Sequence, residues 1–575
     1  VLFGFIGLDD AAYIASVPEV REGLSAGNVL WAFTNLHYAN YHPLTTLTHQ
    51  FDVSMFGANA GGHHFTSLLL HLLNSWLVWL VLARATQAPR MAALAAAVFA
   101  VHPLHVEPVA WISSRKDLLS GTFALLMLLA YVRHAHAPTV RTLAVVVFAF
   151  AGVLLSKAAL LALPVALLFF DFWPLHRYAG DTPWPRRFGQ LFIEKLPLLA
   201  LSAVAGLVGA YGQAVEGGVR TLEQFPLLLR IQNAIVSYAY YLFDFVWPAG
   251  LAPFYPHPQA IAWSTVGLAA VLLLALTALA LGQVRRAPAL FAGWGWFVVL
   301  LAPVIGLLAV GAHARADRFT YLPLLGLCVA VVYGLPALVP EARRAHRHAP
   351  RAALALGTAA VLVFAALAAM QTARWRDTQT LFTHTLRVTE RNALAHEVLG
   401  NALLEAGRMQ EGLRHVEQAI ILEPGRGGRV LRSIARAFVA AGRADDGVDY
   451  INARFGEAAS RLAGIAAIAD ALVGTGAPGD AIPFYERVLA ADPDAHAARV
   501  GVGVAHLMSG DTGSAIAQLR LAVDAAPEDP VARTNLAAAL AEDGHNDAAR
   551  QQAQAVLART PGHVPAQRLL EQLGR

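Results

Sequence analysis

Apolar residues run almost unbroken through 64–372, then recur at helical spacing between polar faces through 376–575. A helix needs about 20 apolar residues to cross the hydrocarbon core of a bilayer. The runs predict spans near 64–83, 91–107, 118–134, 140–156, 158–173, 195–212, 261–283, 288–310, 319–338 and 352–371. A further stretch, 226–247, carries Arg230, Asn233 and Asp244. Such groups are costly in lipid, which favours an interfacial or cavity-lining helix there. The opening VLFGFIGL is too short to span, and we read it as the tail of a first membrane helix whose start is missing. No cleavable signal peptide is visible.

The polar-faced third has a period. Glycines stand at Gly407, Gly442, Gly476, Gly510 and Gly544, spaced by 35, 34, 34 and 34 residues, and prolines at Pro424, Pro493, Pro527 and Pro561, with one slot empty. A period of about 34 with a mid-repeat Gly and a closing Pro predicts tetratricopeptide hairpins, two amphipathic helices per unit with the Gly in the turn between them. About five such units suffice for an α-solenoid with a concave binding face. The expected organisation is all-α, with a polytopic membrane domain at 1–372 and a tetratricopeptide-repeat domain at 373–575.

Composition agrees. Hydrophobic residues make up 57% of the 575 and charged residues 14%, against about 25% charged in an average soluble protein. Much of the positive charge lies in short loops between apolar runs: Arg133–Arg141, Arg177–Lys195 with Arg186 and Arg187, Arg285–Arg286, and Arg343, Arg344, Arg347 and Arg351. That pattern sets membrane orientation and does not fit nucleic-acid binding. It places these loops on the cytoplasmic side and residues 9–63, 102–117, 311–318 and everything after about 372 on the opposite side. Parity closes if 226–247 does not fully cross or if another span is miscounted. The lone Cys328 lies in an apolar run, excludes an intramolecular disulfide and reads as a packing residue.

Three polar clusters share the non-cytoplasmic side: Asp9-Asp10 with NYHPLTTLTHQFD (40–52), HPLHVEPVAWISSRKD (102–117) and GAHARADRFTYLP (311–323). Each has a plain reading, as a solvated acidic pair, an interfacial cation or a helix cap. Their joint placement at helix ends raises the functional one. A carboxylate can take a proton from an acceptor hydroxyl. Arginine and lysine can hold a phosphate and stabilise it as a leaving group. His102 and His105 could ligate a divalent metal with Glu107, but the intervening Pro103 disfavours a helical two-ligand face, so that metal is an alternative and not the favoured reading. At a membrane the natural phosphate substrate is lipid-linked, and the residues by themselves do not specify a sugar.

Several stretches resemble one family in the same order. They are the opening from DDAAYIASVPEV to the end of HHFTSLLLHLLNS, VFAVHPLHVEPVAWISSRKDLLSG, LLSKAALLALPVALLFFDFWP, WPAGLAPFYPHP and GAHARADRFTYLPLLG. With the repeats behind them, they look like bacterial relatives of the transmembrane and tetratricopeptide-repeat (TMTC-type) O-mannosyltransferases. The resemblance covers nearly the whole chain. It implies a GT-C glycosyltransferase fold, a polyprenyl-phosphate sugar donor and an active site facing away from the cytoplasm. By it, Asp10 or Asp9 matches the catalytic base, with Asp10 preferred. Asp117 matches an acidic position near the donor, and Arg318 is a donor-phosphate candidate. SSRKD departs from relatives that carry an acidic residue before the Arg, which leaves the partner of Arg115 open.

The resemblance implies an inverting membrane glycosyltransferase, moving mannose or another hexose from a polyprenyl-phosphate donor to a protein Ser/Thr hydroxyl. Asp10 and Asp9 would be catalytic, with Arg115, Lys116, Asp117, Arg318, His42, His102, His105 and Glu107 around the donor phosphate. Expected partners are the lipid-linked sugar, a peptide acceptor held by the repeats, and membrane lipids, in a bacterial inner membrane with the repeats outside the cytoplasm. The main rival is a non-enzymatic, membrane-anchored repeat scaffold, which would need one anchoring helix rather than about ten. A transporter would instead place its site near the midplane.

Overall fold

A computed structural model describes residues 3–37, 40–215, 223, 225–307, 311–340 and 349–574. Arg343, Arg344 and Arg347 of the last basic loop lie outside the described residues. The chain divides into two compact units, Val1–Ala395 and His396–Arg575.

The first unit is a helical bundle with a minimal two-stranded sheet. In order its main helices are α1 (Ala26–Thr34), α2 (Pro43–Phe56), α3 (Ala60–Thr86), α4 (Pro89–Val101), α5 (Arg115–His136), α6 (Val140–Ser156), α7 (Leu163–Phe172), α8 (Trp184–Glu194), α9 (Leu196–Val215), α10 (Leu227–Val246), α11 (Trp263–Gly282), α12 (Pro288–Leu301), α13 (Leu324–Val329), α14 (Ala349–Arg374) and α15 (Thr378–Val388). Local chemistry sets the starts. Proline opens α2, α4 and α12, where its missing N–H costs nothing, and Thr139 and Thr142 cap α6 reciprocally. The interior packs Leu77, Phe99, Leu128, Phe150, Leu163 and Trp296. Gly293 of α12 and Gly326 of α13 let two helices cross backbone to backbone, since a Cβ on Gly293 would sit 2.3 Å from the Gly326 carbonyl oxygen.

Among the described residues, five helices are long and apolar enough to cross a membrane, Ala60–Thr86, Ile112–His136, Leu196–Ala214, Trp263–Gly282 and Arg351–Arg374. A sixth span would be Pro89–Val101 with Pro103–Ala110, bent by 55°. The bundle is that of a multi-pass membrane protein. The runs 140–156, 158–173, 288–310 and 319–338 give helices of 10–17 residues, shorter than the crossings expected of them. The 158–173 run yields only the ten-residue α7, roughly 15 Å long and half a bilayer core, because residues 157–162 turn before it. The 226–247 stretch is a full helix, α10, with inverted polarity: Arg230, Asn233, Ser237 and Asp244 are buried, while Leu227, Leu228, Phe243 and Val246 face outward. Its polar groups reach protein. Asn233 donates to the Ala314 carbonyl at 3.0 Å, and Asp244 pairs with Arg315.

The second unit stacks hairpins 393–405/409–422, 427–440/444–454, 458–474/478–491, 496–508/512–525 and 530–542/546–559, followed by Val564–Leu573. Each predicted turn glycine has positive φ, from 68° at Gly442 to 83° at Gly476. At each, the next residue's N–H bonds the carbonyl five residues back, as in Arg408 to Leu403 at 2.9 Å and His545 to Leu540 at 2.8 Å. That is the Schellman helix ending, which wants glycine in the left-handed region. The empty proline slot falls at Ala458, and the helix before it, Ala444–Arg454, is 11 residues where its counterparts have 14.

Candidate functional site

The site gathers at the N-terminal end of α5. Lys116, in its first turn, donates from Nζ to the Tyr13 hydroxyl at 2.9 Å and lies 4.4 Å over that ring. Asp117 Oδ1 meets Lys157 Nζ at 2.6 Å, where Lys157 caps the C-terminus of α6. Arg318 places Nη1 2.5 Å from Glu107 Oε1, and its own backbone N–H donates to Glu107 Oε2 at 2.8 Å. The Arg318 guanidinium also lies 5.1 Å over Trp111 and over Phe319.

Behind Arg318 the strands β1 (Tyr255–Pro256) and β2 (His313–Arg315) pair antiparallel. Tyr255 donates to Asp317 Oδ1 at 2.9 Å, and Arg315 stacks 3.8 Å over Tyr255 while pairing with Asp244. Burial, and then the neighbouring Glu107, push the Asp317 carboxyl well above its usual range. The loop that aims Arg318 is thus braced from α10.

Asp9 and Asp10 reach this end, but in different states. Asp10 is fully buried. Its Oδ1 accepts from the Ser113 N–H (3.0 Å) and hydroxyl (2.6 Å), and its Oδ2 accepts from the Ile6 N–H (2.9 Å). Burial raises its pKa, against the lowering effect of those bonds. Asp9 is half-buried and within electrostatic reach of Lys116, Arg318 and Tyr13. The three bonds that tie Asp10 down have no counterpart at Asp9 among the described residues. Three protein donors thus engage the Asp10 carboxylate, while the Asp9 carboxylate lies within electrostatic reach of Lys116 and Arg318.

A cavity of about 230 Å³ opens beside the cluster. His42, Lys116 and Lys157 line it together with Leu154 and Leu155 of α6 and Leu201 and Val204 of α9. His42 stacks on His37 with centroids 5.4 Å apart and planes 12° apart. Burial, with Lys116 nearby, pushes both imidazoles down and keeps them neutral, that of His37 to about 4. Burial also pushes the Lys157 ammonium down to about 8, against the pull of Asp117.

Three sequence candidates lie elsewhere. Arg115 is fully buried, 2.6 Å from Asp52 Oδ2, and donates to the carbonyls of His63 (2.8 Å) and Thr48 (3.2 Å) and to Ser67 Oγ (3.4 Å). Arg115, Lys116 and Asp117 are consecutive on a helix, about 100° apart, and cannot face one way. His102 and His105 turn inward. Pro103 has no N–H, so the Phe99 carbonyl loses its helical partner, and His105 Nδ1 bonds it at 2.7 Å. His102 Nε2 bonds the Phe245 carbonyl near the end of α10 at 3.0 Å. Both line a second cavity of about 250 Å³ with His64 and His71. Among the described residues no group of three His, Cys, Asp or Glu is placed to hold a metal ion.

Residues 42–193, which carry α2 to most of α8, match the dolichyl-phosphate-mannose-protein mannosyltransferase family. Residues 365–428, 466–530 and 506–573 match tetratricopeptide repeats. Protein O-mannosyl-transferase TMTC4 of Mus musculus is 25% identical over 71% of this chain and 62% of its own length. The Homo sapiens TMTC4 is 27% identical over 66% and 58%. Drosophila melanogaster Tmtc3 is 23% identical over 67% and 49%. The chain is a homologue of the TMTC protein O-mannosyl-transferases. It spans about half to three fifths of the length of these curated relatives.

For this homologue, sequence reasoning missed Lys157, Tyr13 and the Asp52 partner of Arg115. Lys157 had a signal, a Ser-Lys step breaking the apolar run 140–173 on the same side as the other clusters.

Proposed function

We propose that the protein is a GT-C-type, inverting glycosyltransferase. It moves a hexose, with mannose first by kinship, from a polyprenyl phosphate to a protein Ser/Thr hydroxyl on the non-cytoplasmic face. One observation carries this reading: Asp9 shares an electrostatic neighbourhood with Lys116 and Arg318, beside a largely apolar cavity that Lys116 and Lys157 help to line. Cations lining a largely apolar slot suit a phosphate on a hydrocarbon tail.

Asp9 takes the proton from the acceptor hydroxyl as its oxygen attacks the anomeric carbon. The bond from that carbon to the phosphate oxygen breaks, and the configuration inverts. Lys116, Lys157 and Arg318 meet the charge that develops on the leaving phosphate. Asp117 and Glu107 hold two of those cations, and Tyr13 supports the third. Asp10 fixes the turn that presents Asp9. The repeats capture the acceptor peptide and raise its effective concentration at the membrane unit.

The test is Asp9→Asn against Asp10→Asn in membranes given labelled polyprenyl-phosphate mannose. The expected result is loss of transfer for Asp9→Asn in a protein that still folds. Undiminished transfer by Asp9→Asn would remove this mechanism.

A further inference from the structure

α8 is built unlike the helices around it. On a helical wheel Trp184, Pro185, Phe188, Leu191 and Phe192 fall on one side, and Arg186, Arg187, Gln190 and Glu194 on the other. Only Leu191 of the apolar arc is buried; Trp184 is 60% exposed, and Phe188 and Phe192 also stand exposed. The aromatics form a ladder along one edge, with ring centroids 6.2 Å apart from Tyr178 to Trp184, 5.4 Å from Trp184 to Phe188 and 6.2 Å from Phe188 to Phe192.

The polar arc is fastened to the bundle at its end. Arg187 Nε donates to the Arg177 carbonyl at 2.6 Å, and Glu194 Oε2 accepts from Arg177 Nη2 at 2.7 Å. One residue past α8, at Leu196, the chain enters α9, an apolar span whose Val204, Leu207 and Tyr211 are exposed.

We infer that α8 lies in the interface of the bilayer that α9 enters, with its aromatic edge among the acyl chains and Arg186 and Arg187 toward anionic headgroups. Three observations select lipid over a protein partner. The exposed apolar edge is continuous with the exposed face of a spanning helix. On the helix itself the exposed charged residue is Arg186. Aromatic, leucine and arginine faces in this arrangement are those of helices that lie in the membrane plane. The inference stands apart from the transferase reading.

The test uses full-length protein with Cys328→Ala and spin labels at Phe188→Cys or Gln190→Cys, in nanodiscs of phosphatidylcholine with or without phosphatidylglycerol. The expected result is a label at 188 several-fold more accessible to oxygen than to a nickel chelate, with the reverse at 190. Arg186→Glu should lower the oxygen preference at 188 in the anionic discs and leave it nearly unchanged in the neutral ones. A label at 188 as open to the chelate as that at 190 overturns the inference, and so does one shielded from both reagents. Without labels, bromolipids should quench tryptophan emission less in Trp184→Tyr than in the unaltered protein; equal quenching in the two counts against the inference.

Discussion

Two groups of buried charge stand at opposite ends of α5, built from nearly the same parts. At the far end the Tyr131 hydroxyl donates to Asp171 (2.7 Å) and accepts from Lys195 (2.6 Å) and Arg177 (2.7 Å). Arg177 and Lys195 each reach both Asp171 and Glu194. That group closes on itself. At the near end Lys116 meets Tyr13, Asp117 meets Lys157 and Glu107 meets Arg318 as separate pairs, Asp9 lies within electrostatic reach of Lys116 and Arg318, and a cavity opens beside them. The contrast teaches that charge in a membrane protein does not by itself mark a site. A knot whose members satisfy one another holds helices in place, whereas a group with a spare carboxylate and an adjoining slot can receive a substrate.

The sharpest way to break this contrast is Asp9→Asn. Transfer should fall about 10²- to 10⁴-fold, the usual worth of a general base, with the melting temperature unchanged. Next comes Asp171→Asn. It leaves two buried cations short of a partner and should cost about 3–5 kcal/mol of stability, read by thermal unfolding in detergent, while the donor KM of the folded fraction stays put. Asp52→Asn should behave the same way, because Arg115 is a structural cation.

A smaller effect is expected from Lys157→Ala. Losing a charged hydrogen bond of about 1.5–3 kcal/mol should raise the donor KM about 10- to 100-fold, and Lys157→Arg should restore most of it. The smallest effect is a pH limb. The protonated lysine carries the charge that holds phosphate, and burial lowers its pKa to about 8. Donor affinity should therefore decline as pH rises through that value, and Lys157→Arg should flatten the decline.

Much of the second unit was legible because its rule is local. A glycine in the left-handed region every 34 or 35 residues dictates a helix ending wherever it falls. The membrane unit was legible as runs of apolar residues, and the convergence of three clusters followed from counting sides. What failed was direction. Arg115 and Lys116 are neighbours in sequence and face different neighbours in space, and His105 answers a carbonyl orphaned by a proline two residues before it. Which of Asp9 and Asp10 is held down depends on Ser113, about a hundred residues away, and no spacing rule carries that. Lys157 was hidden by its apolar surroundings.

Asp117 and Tyr131 lie fourteen residues apart on α5, roughly 21 Å at 1.5 Å per residue. The hydrocarbon slab of an ordinary bilayer is about 30 Å thick. A protein whose two polar ends are closer than that draws the lipid surface inward around at least one of them, at a cost that grows with mismatch. Chain length of the host lipid then becomes a control on the proposed transfer. Vesicles of short-chain phospholipid should support faster turnover than vesicles of long-chain phospholipid, measured at equal donor density.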